Sequence, residues 1–367
     1  MKLTAMHTTR RHTLHILLTC FAMMFGASSV PPEPVTGLKD YYTDFFPIGV
    51  AVNPRSLHGD EADFIKRHFN SITAENAMKM APLQPAEGKF NWRLADRIVD
   101  FAVTNNMKIR GHALCWHQQA GNWLFEDSQG QPVSRDVLLE RLRTHIHTVV
   151  GRYKGKIFAW DVVNEAIDDN PNNLLRPSKW TEIIGDDFVE KAFEFAHEAD
   201  PTAKLFYNDY NCVRPEKMKR IYTLLKRLKD KNIPIHGVGL QAHWSIFEPS
   251  ESELRAALDQ YASLGLEIHI TELDISVYPW EKERRAKQPD EADAFTDGMR
   301  QAQSDQYGMA FHVFREYRNV ISSVTFWNAH DGYTWLDYYP VAGRKNHPSL
   351  FDANRQPKDA FWQVVNF

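Results

Sequence analysis

The chain has 367 residues, of which 43% are hydrophobic and 25% charged, with 43 Lys+Arg against 47 Asp+Glu and a formal net charge of −4. That balance describes an ordinary globular protein large enough to bury a sizeable core, and the absence of a basic stripe argues against nucleic acid or another polyanion as partner. No repeat, low-complexity tract or Pro/Gly/Ser-rich linker interrupts residues 36–367, so one domain is expected, since α/β barrels use this much chain as a single unit.

The first 29 residues read differently. Lys2, Arg10 and Arg11 precede an apolar stretch from Leu14 to Phe25, and Gly26, Ala27, Ser28 and Ser29 follow it. A basic start, a short apolar run and a small-residue exit describe a secretory signal peptide over 1–29, with 30–367 as the mature chain. The run is too short for a permanent membrane anchor. Cys20 loosely resembles a lipoprotein-processing cysteine, but the residues after it remain apolar and place it inside the run. Cleavage would shift the formal charge from −4 to −7, since three basic residues leave and no acidic one does. Export to a periplasm or the exterior is expected. Only Cys115 and Cys212 remain in the mature chain, and they read as free, mostly buried thiols.

Along the rest of the chain, eight β-rich segments recur: Phe46–Asn53, Ser71–Ala77, Lys108–His117, Phe158–Ala166, Lys204–Asn211, Gly237–Trp244, Glu267–Ile275 and Val324–Asp331. Helical periodicity separates them, as in Val137–Tyr153, with Ser134 and Asp136 as candidate caps, and in Lys217–Asp230 and Glu253–Leu264. Strands alternating with helices imply parallel βαβ units, and eight of them imply a closed (β/α)8 TIM barrel. Connections entering strands are short (Asn105–Met107, Asp200–Ala203, Leu264–Leu266). Those leaving them are long (Gln118–Val133, Ile167–Lys179, Tyr278–Asp293), which is how such barrels carry an active site at one mouth. A doubly wound open sheet is the alternative, but no Gly-rich phosphate turn follows a strand.

Polar and aromatic side chains gather at the C-terminal ends of these segments. They are Glu75, Asn76 and Lys79; His112, Trp116 and His117; Asn164 and Glu165; Asn208, Asp209 and Tyr210; Gln241 and His243; Glu272 and Asp274; and Trp327, Asn328, His330, Asp331 and Trp335. Individually each has an ordinary structural explanation, and Asp161 in particular could simply pair with an arginine. Collectively they would line one mouth with carboxylates, imidazoles, amides and indoles. Glu165 and Glu272 each sit in an apolar run, where an ionisable group needs a partner or a task, and two such carboxylates are the minimum equipment for cleaving a glycosidic bond. The strand-end histidines form no HxH pair and no H-E-x-x-H helix is present, so no metal is expected.

The segments Asp161–Ala166 (DVVNEA), Ile270–Ile275 (ITELDI), Gly111–His117 (GHALCWH) and Thr73–Lys79 (TAENAMK) together resemble glycoside hydrolase family ten, the retaining endo-β-1,4-xylanases, over about Leu38 to Phe361. The resemblance implies that Glu165 is the general acid/base and Glu272 the nucleophile. It implies that His243 hydrogen-bonds the nucleophile and that Asn164 contacts the sugar 2-hydroxyl at the cleavage point. His112, Trp116 and Gln241 would complete that subsite, Glu75, Asn76 and Lys79 the adjacent one, Trp327 and Trp335 would enclose the sugar, and Tyr210 would support the leaving-group side. It implies no cofactor, xylan and xylo-oligosaccharides as partners, and a monomer. Asn328 stands where a glycine is common, Cys115 where an aliphatic residue is usual, and the Tyr278–Asp293 loop is long and charged. A metal-dependent barrel hydrolase, an inactive sugar-binding relative and an enzyme for another β-1,4-linked polymer are the competing readings.

Overall fold

The computed structural model describes residues 36–281 and 283–367. The signal-peptide expectation falls outside them. Eight parallel strands form the barrel: β1 (Ile48–Val52), β2 (Ser71–Ala74), β3 (Lys108–Trp116), β4 (Ala159–Asn164), β5 (Lys204–Asp209), β6 (Gly237–Leu240), β7 (Glu267–Ser276) and β8 (Ile321–Phe326). Each pairs with the next, and β8 returns to β1 in the register Ile48↔Val324, Gly49↔Thr325, Val50↔Phe326. That pairing closes the barrel and leaves no free edge.

Strands β1, β2, β4 and β6 are buried at every position, because side chains fill the barrel interior on one face and helices cover the other. Interior packing is tight where β3 meets β4. A β-carbon at Gly111 would lie 2.1 Å from the Trp160 ring, so only glycine lets that indole pack flat on the neighbouring strand.

One helix of seven or more residues follows each strand: α1 (Gly59–His68), α2 (Arg93–Thr104), α3 (Arg135–Arg152), α4 (Phe188–Ala199), α5 (Pro215–Asp230), α6 (Glu251–Ala262), α7 (Asp297–Glu316) and α8 (Asp359–Val365), with short helices also at Met80–Leu83 and Lys179–Ile183. Their inward faces follow from sequence spacing. In α3, Leu138, Leu142, Ile146, Val149 and Val150 are buried and Ser134 caps the first turn by accepting from the Val137 N–H. In α6, Ser250 and Glu253 form a reciprocal capping box, and Leu254, Ala257, Leu258 and Tyr261 face the barrel. Among the described residues no helix is long and apolar enough to cross a membrane. Cys115 and Cys212 are buried free thiols.

Three segments differ from the sequence expectation. Strand β2 stops at Ala74, so Glu75 and Asn76 leave the sheet at the mouth. Strand β6 stops at Leu240, because Ala242 has a φ of 60° and turns the chain; His243–Ser245 then forms a separate short strand on β7 alone. Strand β8 begins three residues earlier than its apolar run suggests. Ser322 and Ser323 hide its start, although Ser323 is buried.

The long charged loop after β7 is tied to the loop after β8. Arg285–Ala286 pairs with Val341–Ala342. Arg285 bridges Glu281 and Glu291, each at 2.6 Å, and the buried Arg344 donates to Glu281 at 2.6 Å.

Candidate active site

Glu165 is the first residue beyond β4, and its φ of 57° is a conformation non-glycine residues seldom adopt. Its N–H donates to the Asn208 carbonyl on β5 at 2.8 Å. The carboxylate is reached by two donors, the Trp116 indole at 2.8 Å on Oε2 and the Gln241 amide at 2.9 Å on Oε1. Glu272, inside β7, receives the Asn208 amide at 2.8 Å on Oε1 and faces His243 Nε2 at 3.3 Å on Oε2.

A short chain of amides links the two carboxylates. Gln241 also lies 3.4 Å from Asn164 Oδ1, and Asn208 Nδ2 donates to that same oxygen at 2.9 Å. Thr271 donates to Asn208 Oδ1 at 2.7 Å and thereby fixes which end of the amide faces Glu272. The sequence Glu165–Gln241–Asn164–Asn208–Glu272 thus spans β4, β5, β6 and β7 at one mouth of the barrel.

The two carboxyls differ in their surroundings. Burial raises the Glu165 pKa, with the negative charges of Asp209 and Glu272 adding to it, against the hydrogen bonds from Gln241 and Trp116. Burial also pushes Glu272 up, but the His243 hydrogen bond and the positive charge of His112, His243 and Arg110 bring it down to about 2. His243 itself would be lowered by burial; Asp274, 3.0 Å from its Nδ1, together with Glu272 raises it to about 10. Environment rather than residue type therefore moves the two carboxyls in opposite directions, Glu165 up and Glu272 down.

The indoles and the remaining polar residues surround this pair. Trp335 Nε1 donates to Asp274 at 2.8 Å, and its ring centroid lies 4.8 Å from that of His243. Trp327 meets the rings of His112 and His243 edge-on, at 5.5 and 6.2 Å. His112 Nδ1 contacts Asp161 at 2.7 Å, and Asp161 also pairs with the buried Arg110, so the arginine-pairing explanation of Asp161 holds alongside its support of His112. Lys79 donates to Asn76 at 3.0 Å and lies 5.0 Å from the centre of the Trp116 ring. Burial lowers the Lys79 pKa, while Glu272, Glu75 and Glu165 oppose that, so this ammonium senses both central carboxylates. Tyr210 is linked to Glu165 through Arg176, which donates to the Tyr210 hydroxyl at 2.6 Å and to the Glu165 carbonyl at 3.3 Å.

All thirteen residues singled out by the sequence (Glu75, Asn76, Lys79, His112, Trp116, Asn164, Glu165, Tyr210, Gln241, His243, Glu272, Trp327 and Trp335) therefore fall within one connected cluster. Others expected at the mouth do not join it. His330 turns to Glu61 of α1 at 2.9 Å, and Asp331 accepts from Lys358 at 2.9 Å, because β8 ends at Phe326 and the chain has already turned. Sequence reading gave no role to Asn208, Asp274, Tyr333 or Arg176. Tyr333 donates to Glu75 at 3.2 Å. Among the described residues no group of three or more His, Cys, Asp or Glu is arranged to hold a metal ion.

A (β/α)8 barrel with two differently poised carboxylates, amides and indoles at one mouth has the architecture of a glycoside hydrolase. The family model described as glycosyl hydrolase family 10 matches residues 37–367. An endo-1,4-beta-xylanase of Geobacillus stearothermophilus is 51% identical over 339 residues, covering 92% of this chain and 99% of that protein. A beta-1,4-xylanase of Dictyoglomus thermophilum is 44% identical over 355 residues, 96% of this chain and 97% of that one. The crystal structure of xylanase XynB from Paenibacillus barcinonensis, complexed with a conduramine derivative, superposes with a TM-score of 0.87 at 48% identity, covering 91% and 99%. The chain belongs to glycosyl hydrolase family 10.

Proposed function

We propose that this protein is an endo-1,4-β-xylanase that cleaves the xylan backbone with retention of anomeric configuration. The observation that carries the assignment of roles is the opposite displacement of two buried carboxyls joined by one amide chain, Glu165 upward and Glu272 downward. In the first step the Glu272 carboxylate attacks the anomeric carbon as Glu165 gives its proton to the departing glycosidic oxygen, leaving a xylosyl ester. That ester removes the negative charge of Glu272, so Glu165, now ionised, is no longer opposed by it. In the second step Glu165 takes a proton from water, the water oxygen attacks the anomeric carbon, and the carboxylate of Glu272 is released.

The neighbours take supporting roles in this reading. Asn164 is held by its oxygen within the amide chain, which leaves its NH2 end as the donor toward the sugar 2-hydroxyl. Glu75, Asn76 and Lys79 serve the adjacent sugar, with His112, Trp116 and Gln241 around the reacting one. Trp327 and Trp335 present flat apolar faces that suit a pyranose. Tyr210 lines the leaving-group side. Release of reducing sugar from soluble xylan by the wild type, and its loss in Glu272→Ala, tests the reading.

Two further readings go with it. Residues 1–29 direct export and are removed, which would place the enzyme beside a polymer too large to enter a cell; N-terminal sequencing of the secreted protein tests this. The enzyme acts as a monomer, which light scattering tests.

A further inference from the structure

The segment immediately after β4 carries the acid/base and is held by a residue from a distant part of its loop. Arg176 makes hydrogen bonds to three successive main-chain positions. Its own N–H donates to the Ala166 carbonyl at 2.7 Å, its Nε to the Glu165 carbonyl at 3.3 Å and its Nη2 to the Ile167 carbonyl at 3.3 Å. The same Nη2 reaches the Tyr210 hydroxyl at 2.6 Å and Asp169 at 3.2 Å. Glu165 is also the residue with a left-handed φ, a backbone state that persists only where its surroundings over-determine it.

The other end of this clamp is equally fixed. Tyr210 donates to Asp169, and Lys217 lies 3.4 Å from the centre of the Tyr210 ring while pairing with Asp209 at 2.9 Å and Asp169 at 3.2 Å. Tyr207 donates to Asp209 and accepts the Ile167 N–H at 3.0 Å. Arg176 is thus the one side chain in this group that touches both the main chain of the acid/base and the tyrosine on the leaving-group side. A planar fork with five donors suits this task, and a lysine could not replace it.

We infer that Arg176 is a positioning residue that couples the leaving-group wall at Tyr210 to the geometry of the acid/base Glu165, so that proton delivery is tuned to a sugar occupying that wall. This rests on the role proposed above for Glu165. A misplaced acid harms a reaction in proportion to how much the leaving group needs a proton, whereas a general loss of fold harms all substrates alike. A displacement of about 1 Å at such a group costs on the order of 10²-fold.

The test compares Arg176→Gln and Arg176→Lys with wild type by kcat/KM, which reports only the first step, on xylo-oligosaccharides and on aryl β-xylobiosides of graded leaving-group acidity. Labelling of Glu272 by a 2-fluoro-xylobioside inactivator with a good leaving group counts the folded, competent sites. Per labelled site, kcat/KM on xylo-oligosaccharides should fall by at least about 10-fold in both variants, while dinitrophenyl xylobioside stays within about 3-fold, so that dependence on the leaving group steepens. Equal loss across all leaving groups, unchanged rates, or full rescue by lysine would overturn the inference. Failure of the wild type itself to cleave any β-xyloside would instead remove the functional reading beneath it.

Discussion

Asn208 donates its amide to Glu272 at 2.8 Å, and the same NH2 group reaches Asn164 at 2.9 Å, so one side chain from β5 orients both the nucleophile and the amide assigned to the sugar. Asn208 is fully buried and its own oxygen is held by Thr271. Replacing it with alanine removes one hydrogen bond to a charged group, an interaction of about 1.5–3 kcal/mol. Asn208→Ala should therefore lower kcat/KM on xylan by about 10- to 100-fold with a folded protein by circular dichroism. Activity within a factor of two would show that the bond is idle.

His243 sets the acidic side of the pH–rate profile. Glu272 must be ionised to attack, and it is held at about 2 chiefly against burial by the His243 hydrogen bond. Glu165 must be protonated, and burial holds its pKa up. Activity is expected above the first pKa and below the second, giving a bell. In His243→Gln the Glu272 pKa rises, so the acidic limb of kcat/KM moves to higher pH while the alkaline limb stays. A profile that keeps its acidic limb unmoved would contradict this assignment.

Glu165→Ala should slow xylan cleavage by about 10²–10⁴-fold. Its first step on aryl xylosides with good leaving groups should suffer far less, because those groups depart without a proton. Stopped-flow measurement of phenol release separates the two steps. The same loss for every leaving group would assign the acid elsewhere.

Asp161 bears on stability as much as on chemistry. It is fully buried, pairs with the buried Arg110 and contacts His112 at 2.7 Å. Arg110 in turn donates to Thr73 at 3.2 Å and to the Thr271 carbonyl at 2.8 Å, tying β2, β3, β4 and β7 together inside the barrel. Asp161→Ala leaves that guanidinium without its counter-charge, a change that typically costs about 3–5 kcal/mol. A clear drop in the urea midpoint is expected; a midpoint equal to wild type would mean the pair contributes nothing.

Much of this was legible in the sequence for identifiable reasons. The barrel was readable because a parallel strand buried on both faces writes a continuous apolar run, and because the helices between strands keep their 3.6-residue spacing. The start of β8 is expected three residues late because Ser322 and Ser323 interrupt that run, and its end is expected five residues late, which sends His330 and Asp331 to the mouth when they belong to contacts with Glu61 and Lys358. The break of β6 at Ala242 depends on one backbone angle with no glycine to signal it. Glu165 and Glu272 stood out because a charge within an apolar run is anomalous. Arg176 did not, since it lies in an irregular loop and binds main-chain carbonyls, which leave no trace in residue types. Tyr333 was hidden for a different reason, since its partner Glu75 is 258 positions away.

The central claim is that the carboxyls of Glu165 and Glu272 serve a double displacement at one sugar. Proton NMR of a fresh xylo-oligosaccharide digest, recorded before mutarotation, reads this directly. The β anomer should appear first at the newly formed reducing end, with the α anomer growing in later. First appearance of the α anomer would mean that water attacks the sugar directly, and Glu272 would lose its role as nucleophile.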